Sequence, residues 1–412
     1  TLERFHLLQD HPADGDDITL AQFNSTLVKN SRIYGNTNSV STFGTGYLNI
    51  IDTQLLGGAP NIYGSYLTPT NPKIITVAND GSGDFRLPSE AIETINNINN
   101  ITSSSINTQS YIIKVLPGIY NETISLDIPA YTALIGENSI NTILQFNMSN
   151  SYCIALNNNS TVSDISLANN YDNGAANSNN SVVVTASSIS NGIVRNTVIS
   201  NFCNSNTNIG IDTDTAVNLL LDNVSIVVNG LVMSNYSNYN YGIKNVDSII
   251  ETRDTSITVY YGNLGNYGYY LENTLSVINQ KNRNLNITAI NNGGFDYGIF
   301  FNNDTASYCS FEINSGSIVA DTNSIYFDLT SNTDYFNIVL NEVNFNNSIS
   351  TWPTNTTISC NNCYYFDAVN PSQYIPLNHF GEIEYTNGNF TNGDFAGTRI
   401  YTGSRSEEHT SE

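Results

Sequence analysis

Positive charge is scarce in this chain. Thirteen Lys and Arg stand against 36 Asp and Glu over 412 residues, for a formal net charge of −23. A surface of that sign repels nucleic acid and anionic membranes, so neither is expected as a partner. A polyanionic substrate would need a local basic groove or bound cations. Histidine is almost missing: His6, His11, His379 and His409 are the only ones, and none falls among the repeats described below. That excludes His acid–base chemistry there. Trp352 is the single Trp. Five cysteines, Cys153, Cys203, Cys309, Cys360 and Cys363, are odd in number and scattered, which excludes a disulfide framework. Cys360 and Cys363 form one C-x-x-C with no second pair or nearby His, so two core thiols or a local disulfide is preferred over zinc. No apolar run reaches membrane-spanning length, so no membrane insertion is expected. Helical periodicity is nearly absent outside one short segment.

What is present is Asn, roughly one residue in six, with Ser, Thr, Tyr and Gly. Codon bias alone would raise Lys along with Asn, so part of the Asn excess reads as structural. An apolar fraction of 40% supplies a core, and Ile, Val, Leu, Tyr and Phe are interleaved throughout. An ordered β fold fits better than a disordered, prion-like chain. From Ser151 to Tyr364 short β-type runs alternate with Asn/Gly/Ser/Asp turns. One tag recurs: "IGIDTD" with Gly210, "YGIKNV" with Gly242, "YGYYLE" with Gly268, "YGIFFN" with Gly298 and "SIYFDL" with Ser324 in the same place. The spacings are 32, 26, 30 and 26 residues. Repetition on this scale means a solenoid, a propeller or an array. The drifting period, the lack of a blade signature and the Asn excess favour a right-handed parallel β-helix, where stacked coils form amide ladders and stack Tyr or Ile inside. A propeller is the alternative.

The one helical pattern lies in "KIITVANDGSGDFRLPSEAIETINN". Leu87, Ala91, Ile92, Ile95 and Ile98 recur at three- and four-residue spacing after Pro88, which predicts a helix over 88–98. A β-helix exposes unpaired edges and core groups at its ends, and such a helix can plug one. This stretch and "YIIKVLPGIYNETISLDIPAYTALIGENSINTILQF" resemble the opening of pectin methylesterases and the wider pectin-lyase-like superfamily. The shared features are the D-G-S-G-D-F turn, the E-A-I helix, V-x-P-G-x-Y-x-E and L-I-G-E-N, over Ile74 to Phe146. The resemblance implies the β-helix; for activity it implies little, because the superfamily includes many non-enzymes.

The esterases' Asp pair, Gln residues and Arg find no counterparts. Asn180-Ser181-Val182-Val183 stands where the family has Gln-Ala-Val-Ala, "ISNFCNSNTN" offers no Asp, and the Asp-Phe-Ile-Phe-Gly strand and Gly-Arg-Pro-Trp turn are missing. A lyase would need Ca²⁺-binding carboxylates and an Arg or Lys base. The repeats carry only Arg195, Lys244, Arg253, Lys281 and Arg283. Glu251 and Arg253 in "IETRDT" share a strand face, with Thr252 and Asp254 opposite, as a catalytic pair or, preferably, a surface ion pair. For a two-carboxylate hydrolase, Asp212 and Asp214 share a face and Asp222 follows one run later. "QDHPADGDD" clusters His11, Asp14, Asp16 and Asp17, better read as a solvated acidic loop than a Ca²⁺ site. Gly81 to Gly83 is a turn, since it lacks a phosphate loop's Lys. "SNYSNYNYG" offers Tyr faces and Asn amides to sugars, or Tyr that merely stack.

The resulting expectation is an all-β, pectin-lyase-like right-handed parallel β-helix over 73–365. A β-rich segment, 1–70, precedes it as the end of an earlier module, and an incomplete one, 366–404, follows. The tail "RSEEHTSE", 405–412, resembles a translated sequencing adapter, so the chain reads as a metagenomic fragment. The leading function is a non-catalytic structural or glycan-binding element of a virion fibre, tailspike or adhesin, extracellular or on a virion surface. The alternative is a polysaccharide hydrolase or lyase. Catalytic candidates are Asp212, Asp214, Asp222, Glu251 and Arg253. No cofactor is expected, except Ca²⁺ for a lyase. The partner is a polysaccharide or cell-surface glycan. A homotrimer is admitted by analogy with tailspikes, without heptads to support it.

Overall fold

The structure is a computed structural model. It describes residues 73–101, 110–148, 151–171, 177–215, 218–230, 238–272, 277–290, 294–303, 308–329 and 335–347, plus the strands named below in 1–72 and 355–385. The chain divides into two units, residues 1–74 with 98–112 and residues 75–97 with 113–412.

In the first unit ten short strands visit three parallel sheets in cyclic order. Leu2–Glu3, Ser25–Lys29, Tyr47–Ile51 and Leu67–Thr68 form one sheet. His6–Leu8, Arg32–Gly35 and Gln54–Gly57 form the next, and Thr19–Ala21, Ser41–Phe43 and Asn61–Ile62 the third. The acidic run around Asp14 lies outside the described residues.

The second unit is dominated by two sheets. A short sheet stacks eight strands, Leu126–Asp127, Tyr152–Leu156, Asn177–Ser187, Ser205–Asp214, Tyr239–Val246, Gly265–Glu272, Phe295–Asn303 and Asn323–Leu329. The long sheet, of 17 strands, supplies the rest of each coil, with Gly192–Cys203, Leu219–Gly230, Ile250–Tyr260, Val277–Ile290, Tyr308–Ala320 and Tyr335–Phe345 at its centre. These central strands pair in parallel with their neighbours one coil away. The propeller is thereby excluded, since its blades are antiparallel meanders. Antiparallel pairing is seen at the far end, where Glu382–Tyr385 lies on Asn355–Asn361 and Tyr374–Leu377 on Cys363–Phe366.

Each long strand bends once. Burial alternates along Leu219–Gly230 until Asn223, at φ 54°, and then resumes. Asp164, Asn196, Asn223, Asp254, Asn284, Ser315 and Glu342 all take this left-handed conformation, and they form one column of corners. Asn and Asp tolerate it best among side-chain-bearing residues. The column is tied by amide bonds: Asn196 Nδ2 donates to Asp164 Oδ1 at 2.9 Å, Asn223 to Asn196 at 3.0 Å, and Asn284 to Asp254 at 2.8 Å. Strand alternation alone puts Asp254 on the buried side with Thr252; it stands exposed at a corner instead.

The recurring tags fall into register. Tyr241 pairs with Tyr267, Tyr267 with Tyr297, and Ile243 with Tyr269, which sets the tag glycines above one another. Behind them Ile226, Ile257, Ile287 and Ile318 form a buried column. Beside it runs a second, buried amide ladder. Asn208 Nδ2 donates to Asn240 Oδ1 at 2.9 Å, Asn240 to Asn266 at 3.2 Å, and Asn266 to Asp296 at 2.7 Å. The expected amide ladders and Ile stacks are therefore present. The expected Tyr stack is only partly inside: Tyr269 and Tyr297 are buried, while Tyr241, Tyr267 and Tyr270 are half-buried.

The helix spans Pro88–Ile101, three residues longer than its pattern predicts. Pro88 opens it, and the Glu90 carboxylate reaches back to the Arg86 and Leu87 amides at 2.9 and 3.2 Å. Ala91, Ile92 and Ile95 are buried. Ser89 N donates to Glu122, whose burial pushes its carboxyl pKa up.

Candidate functional site

The outer face of the short sheet carries the chemistry. Along each tag, the residue before the glycine and the residues two and four after it stack into three columns, in which Ile209, Tyr297 and Phe300 are buried by their neighbours. The first of these positions reads Ile209, Tyr241, Tyr267, Tyr297 and Asn323 on successive coils. The second reads Asp212, Lys244, Tyr270, Phe300 and Tyr326, and the third Asp214, Val246, Glu272, Asn302 and Asp328.

Six rings from the first two columns fuse into one platform. Tyr241 stacks on Tyr267 at 4.8 Å and 11°, Tyr270 on Phe300 at 5.3 Å and 9°, and Phe300 on Tyr326 at 5.2 Å and 19°. Edge-to-face contacts join the columns: Tyr241 to Tyr270 at 5.3 Å and Tyr267 to Phe300 at 5.1 Å. The strand spacing of a parallel sheet sets rings in register near their preferred separation, so the sheet itself builds the stack. Phe295, 62% exposed, extends it over Tyr297. Burial raises the hydroxyl pKa of Tyr241, Tyr267 and Tyr270, and that of Tyr297 is pushed up to about 12. All four stay protonated as donors at physiological pH. Tyr270 accepts from Asn302 Nδ2 at 2.6 Å and donates to Glu272 Oε2 at 3.2 Å.

Carboxylates edge the platform. Asp212 and Asp214 lie together on one face of Ser205–Asp214, about 7 Å apart by strand geometry. Asp214, Glu272 and Asp328 follow in one column, each about 10 Å from the next, two strands apart. Asp212 is half-buried, and burial raises its pKa, against the lowering pull of Lys244 on the next strand; Asp214 raises it further. A carboxyl whose folded pKa exceeds its unfolded value favours folding at low pH, and that contribution is lost as pH rises through the folded pKa. Asp212→Asn should therefore raise the unfolding midpoint at neutral pH, and the gap should close below about pH 4. A thermal-unfolding pH series on both proteins checks this.

The other sequence candidates lie elsewhere. Asp222, Glu251 and Arg253 are on the outer face of the long sheet. Arg195 Nε binds Asp222 at 2.8 Å, and Arg253 Nη2 binds Glu251 at 2.8 Å. Glu251 with Arg253 is the surface ion pair preferred from the sequence, Asp222 is engaged by Arg195, and none of the three converges with Asp212 and Asp214. Cys363 is buried with its thiol against Leu340 O at 3.4 Å, and the Cys360 side chain lies outside the described residues. Among the described residues no group of three or more His, Cys, Asp or Glu could hold a metal, and no helix is long and apolar enough to cross a membrane. Glu272, Asp328 and the aromatic columns escape the sequence reading, although aligning the five tags on their glycines exposes all three columns.

The fold is a parallel β-helix, with stacked coils whose strands pair in parallel along two sheets. No family model and no curated protein matches the chain. Solved structures similar to this β-helix include a pectin methylesterase from carrot, 16% identical over 67% of this chain and 84% of that one, with a TM-score of 0.42. Pectin methylesterase PemA from Erwinia chrysanthemi is 11% identical over 76% and 86%, with a TM-score of 0.37. The catalytic domain of a GH87 alpha-1,3-glucanase in complex with nigerose is 15% identical over 74% and 67%, with a TM-score of 0.31. The β-helix presents two outer faces with different chemistry: an aromatic one on the short sheet and a charged one on the long sheet.

Proposed function

We propose that the aromatic face of the short sheet binds a polysaccharide, and that the chain works on a surface exposed to glycans, of a cell or virion. The carrying observation is the six-ring platform with its hydroxyl and amide donors. The ring edges left exposed by the stack, with Phe295, offer apolar surface to sugars, while Tyr270, Glu272 and Asn302 meet hydroxyls. Asp212, Asp214, Glu272 and Asp328 outnumber Lys244, so the face selects neutral over anionic chains. Tyr267→Ala should weaken binding of the preferred neutral glycan about 10-fold or more, equivalent to about 1.4 kcal/mol, with the circular dichroism unchanged. Calorimetric affinities within twofold of the parent would sink the proposal.

A second reading, polysaccharide hydrolysis, is favoured by the carboxylates and makes the chain a carbohydrate-active enzyme rather than a passive binder. Asp212, whose pKa is raised by burial, would donate to the glycosidic oxygen. Exposed Asp214 would activate water from about 7 Å away, near the lower end of the separation found in inverting enzymes. Reducing-sugar release from a neutral polysaccharide should then fall more than about 100-fold in Asp212→Asn and in Asp214→Asn. The alkaline limb of the pH profile follows Asp212. Lys244→Met removes the cation that lowers its pKa, so the limb should move to higher pH. No release from any polysaccharide leaves the binding reading alone.

A further inference from the structure

The long sheet carries a different surface, and its charge is anomalous. Of the five cations in the repeats, four, Arg195, Arg253, Lys281 and Arg283, share its outer face. They sit in two adjacent columns. One runs Arg195, Asp222, Arg253, Arg283 and Asn314; the other runs Leu220, Glu251, Lys281 and Glu312. In a chain of net charge −23 each cation has carboxylates to spare, yet the pairing is incomplete. Arg195 and Arg253 hold Asp222 and Glu251. Lys281 and Arg283 have no carboxylate within 4 Å among the described residues. Glu312, the carboxylate next to Lys281 in register, instead accepts from Asn314 Nδ2 at 2.6 Å.

Arg253 and Arg283 are moreover direct cross-strand neighbours. Like charges opposite one another weaken a sheet, so this pair opposes the fold it belongs to. Beside it lies a groove of about 520 Å³, whose lining includes Ile193, Leu220 and Ile249 and the charged Glu251, Lys281 and Glu312. Lys281 lines it together with apolar residues, and Arg283 follows two residues along the same strand, outside the lining.

We propose that Lys281 and Arg283, with Arg253 behind them, bind the anionic substituent of a polysaccharide, a carboxylate or a sulfate ester, beside this groove. A guanidinium takes two oxygens of such a group in parallel, and the Lys ammonium supplies a third donor from the adjacent column. The apolar lining residues of the groove receive the face of the sugar that bears the group. An anion placed here also relieves the repulsion between Arg253 and Arg283. The site is separate from the aromatic face and takes ligands of opposite preference, so it stands whether or not neutral glycans bind there.

Dextran, carboxymethyl-dextran and dextran sulfate share a backbone and differ in charge, which makes them the probes. On the full chain at roughly 50 mM salt, one or both charged dextrans should bind at least about 10-fold more tightly than dextran, and roughly 300 mM salt should erase the difference. The arm that binds tells carboxylate from sulfate. K281A/R283A should lose at least about 10-fold for the charged probe and nothing for a neutral glycan held on the aromatic face. Glu312→Gln, which removes a competing carboxylate, should tighten charged-probe binding. It guards against reading a folding defect as lost affinity. The proposal is overturned if neither charged dextran outbinds dextran, or if the double variant binds them as the parent does.

Discussion

Gly268→Ala lowers the stability of the β-helix by about 3 kcal/mol, a large share of what a domain has to lose. The backbone conformation is not the reason, since this glycine does not occupy the left-handed region. The reason is approach. A Cβ on Gly268 would run into Ile287 Cγ2 and lie 2.6 Å from Gly298 O. Gly210, Gly242 and Gly298 meet Ile226, Ile257 and Ile318 in the same way, each with the carbonyl of the next tag residue at 2.6 Å. Neither neighbour can yield cheaply: the isoleucines are buried, and the carbonyls belong to the adjacent strand. Chemical denaturation of Gly268→Ala and of G268A/I287A checks this. The double variant should cost less than the sum of its parts, because removing Cγ2 vacates the space the new methyl needs. A loss below about 0.5 kcal/mol for the single variant, the range of ordinary surface changes, would mean that the coils slide apart without strain.

Asn240→Ala should cost about 3 kcal/mol by a different route. Asn240 Nδ2 donates to Tyr260 O at 2.9 Å and to Asn266 Oδ1 at 3.2 Å, while its Oδ1 accepts from Asn208. Truncation strands the Asn208 amide, whose Oδ1 already has no partner, and leaves Tyr260 O without this donor in a dry interior. Asn240→Asp sharpens the test. It is nearly isosteric, but it replaces the donor with a carboxylate oxygen aimed at two acceptors. At neutral pH it should cost more than Ala, because a buried charge is added to the lost bonds. On acidification the protonated acid regains one donor, so the Asp variant should recover relative to Ala. Unfolding midpoints of both variants at neutral and acid pH decide it. Equal losses at both pH values would show that water has entered the ladder.

Both effects arise from stacking, and stacking governs how much of the molecule is legible in its sequence. The helix is legible because its signals are local: Pro88, Glu90 and an apolar period lie within one stretch. The solenoid is legible because the tags repeat along the chain and because abundant Asn suits amide ladders between coils. The positions of Asp212 and Asp214 on one face follow from strand alternation. The pairing of Glu251 with Arg253 follows the same rule, while Asp254 escapes it because a left-handed corner interrupts the alternation. Tyr placement is only partly legible. A tyrosine at a tag can face either way, and the two successive buried positions at the tag glycine, where alternation breaks, decide which side it takes.

The sequence by itself determined the parallel β-helix, the repeat and its phase, and the acidic character of the whole. Those follow from local preference and from periodicity, which a linear string carries in full. Which residues become neighbours across coils was decided only by the tertiary structure. Residues 26 to 32 apart in sequence come within one strand spacing, and loop lengths set the register. That register gathers six rings into a platform, lines Glu272 and Asp328 up with Asp214, and sets Arg283 beside Arg253 with no carboxylate of the described residues within 4 Å of it.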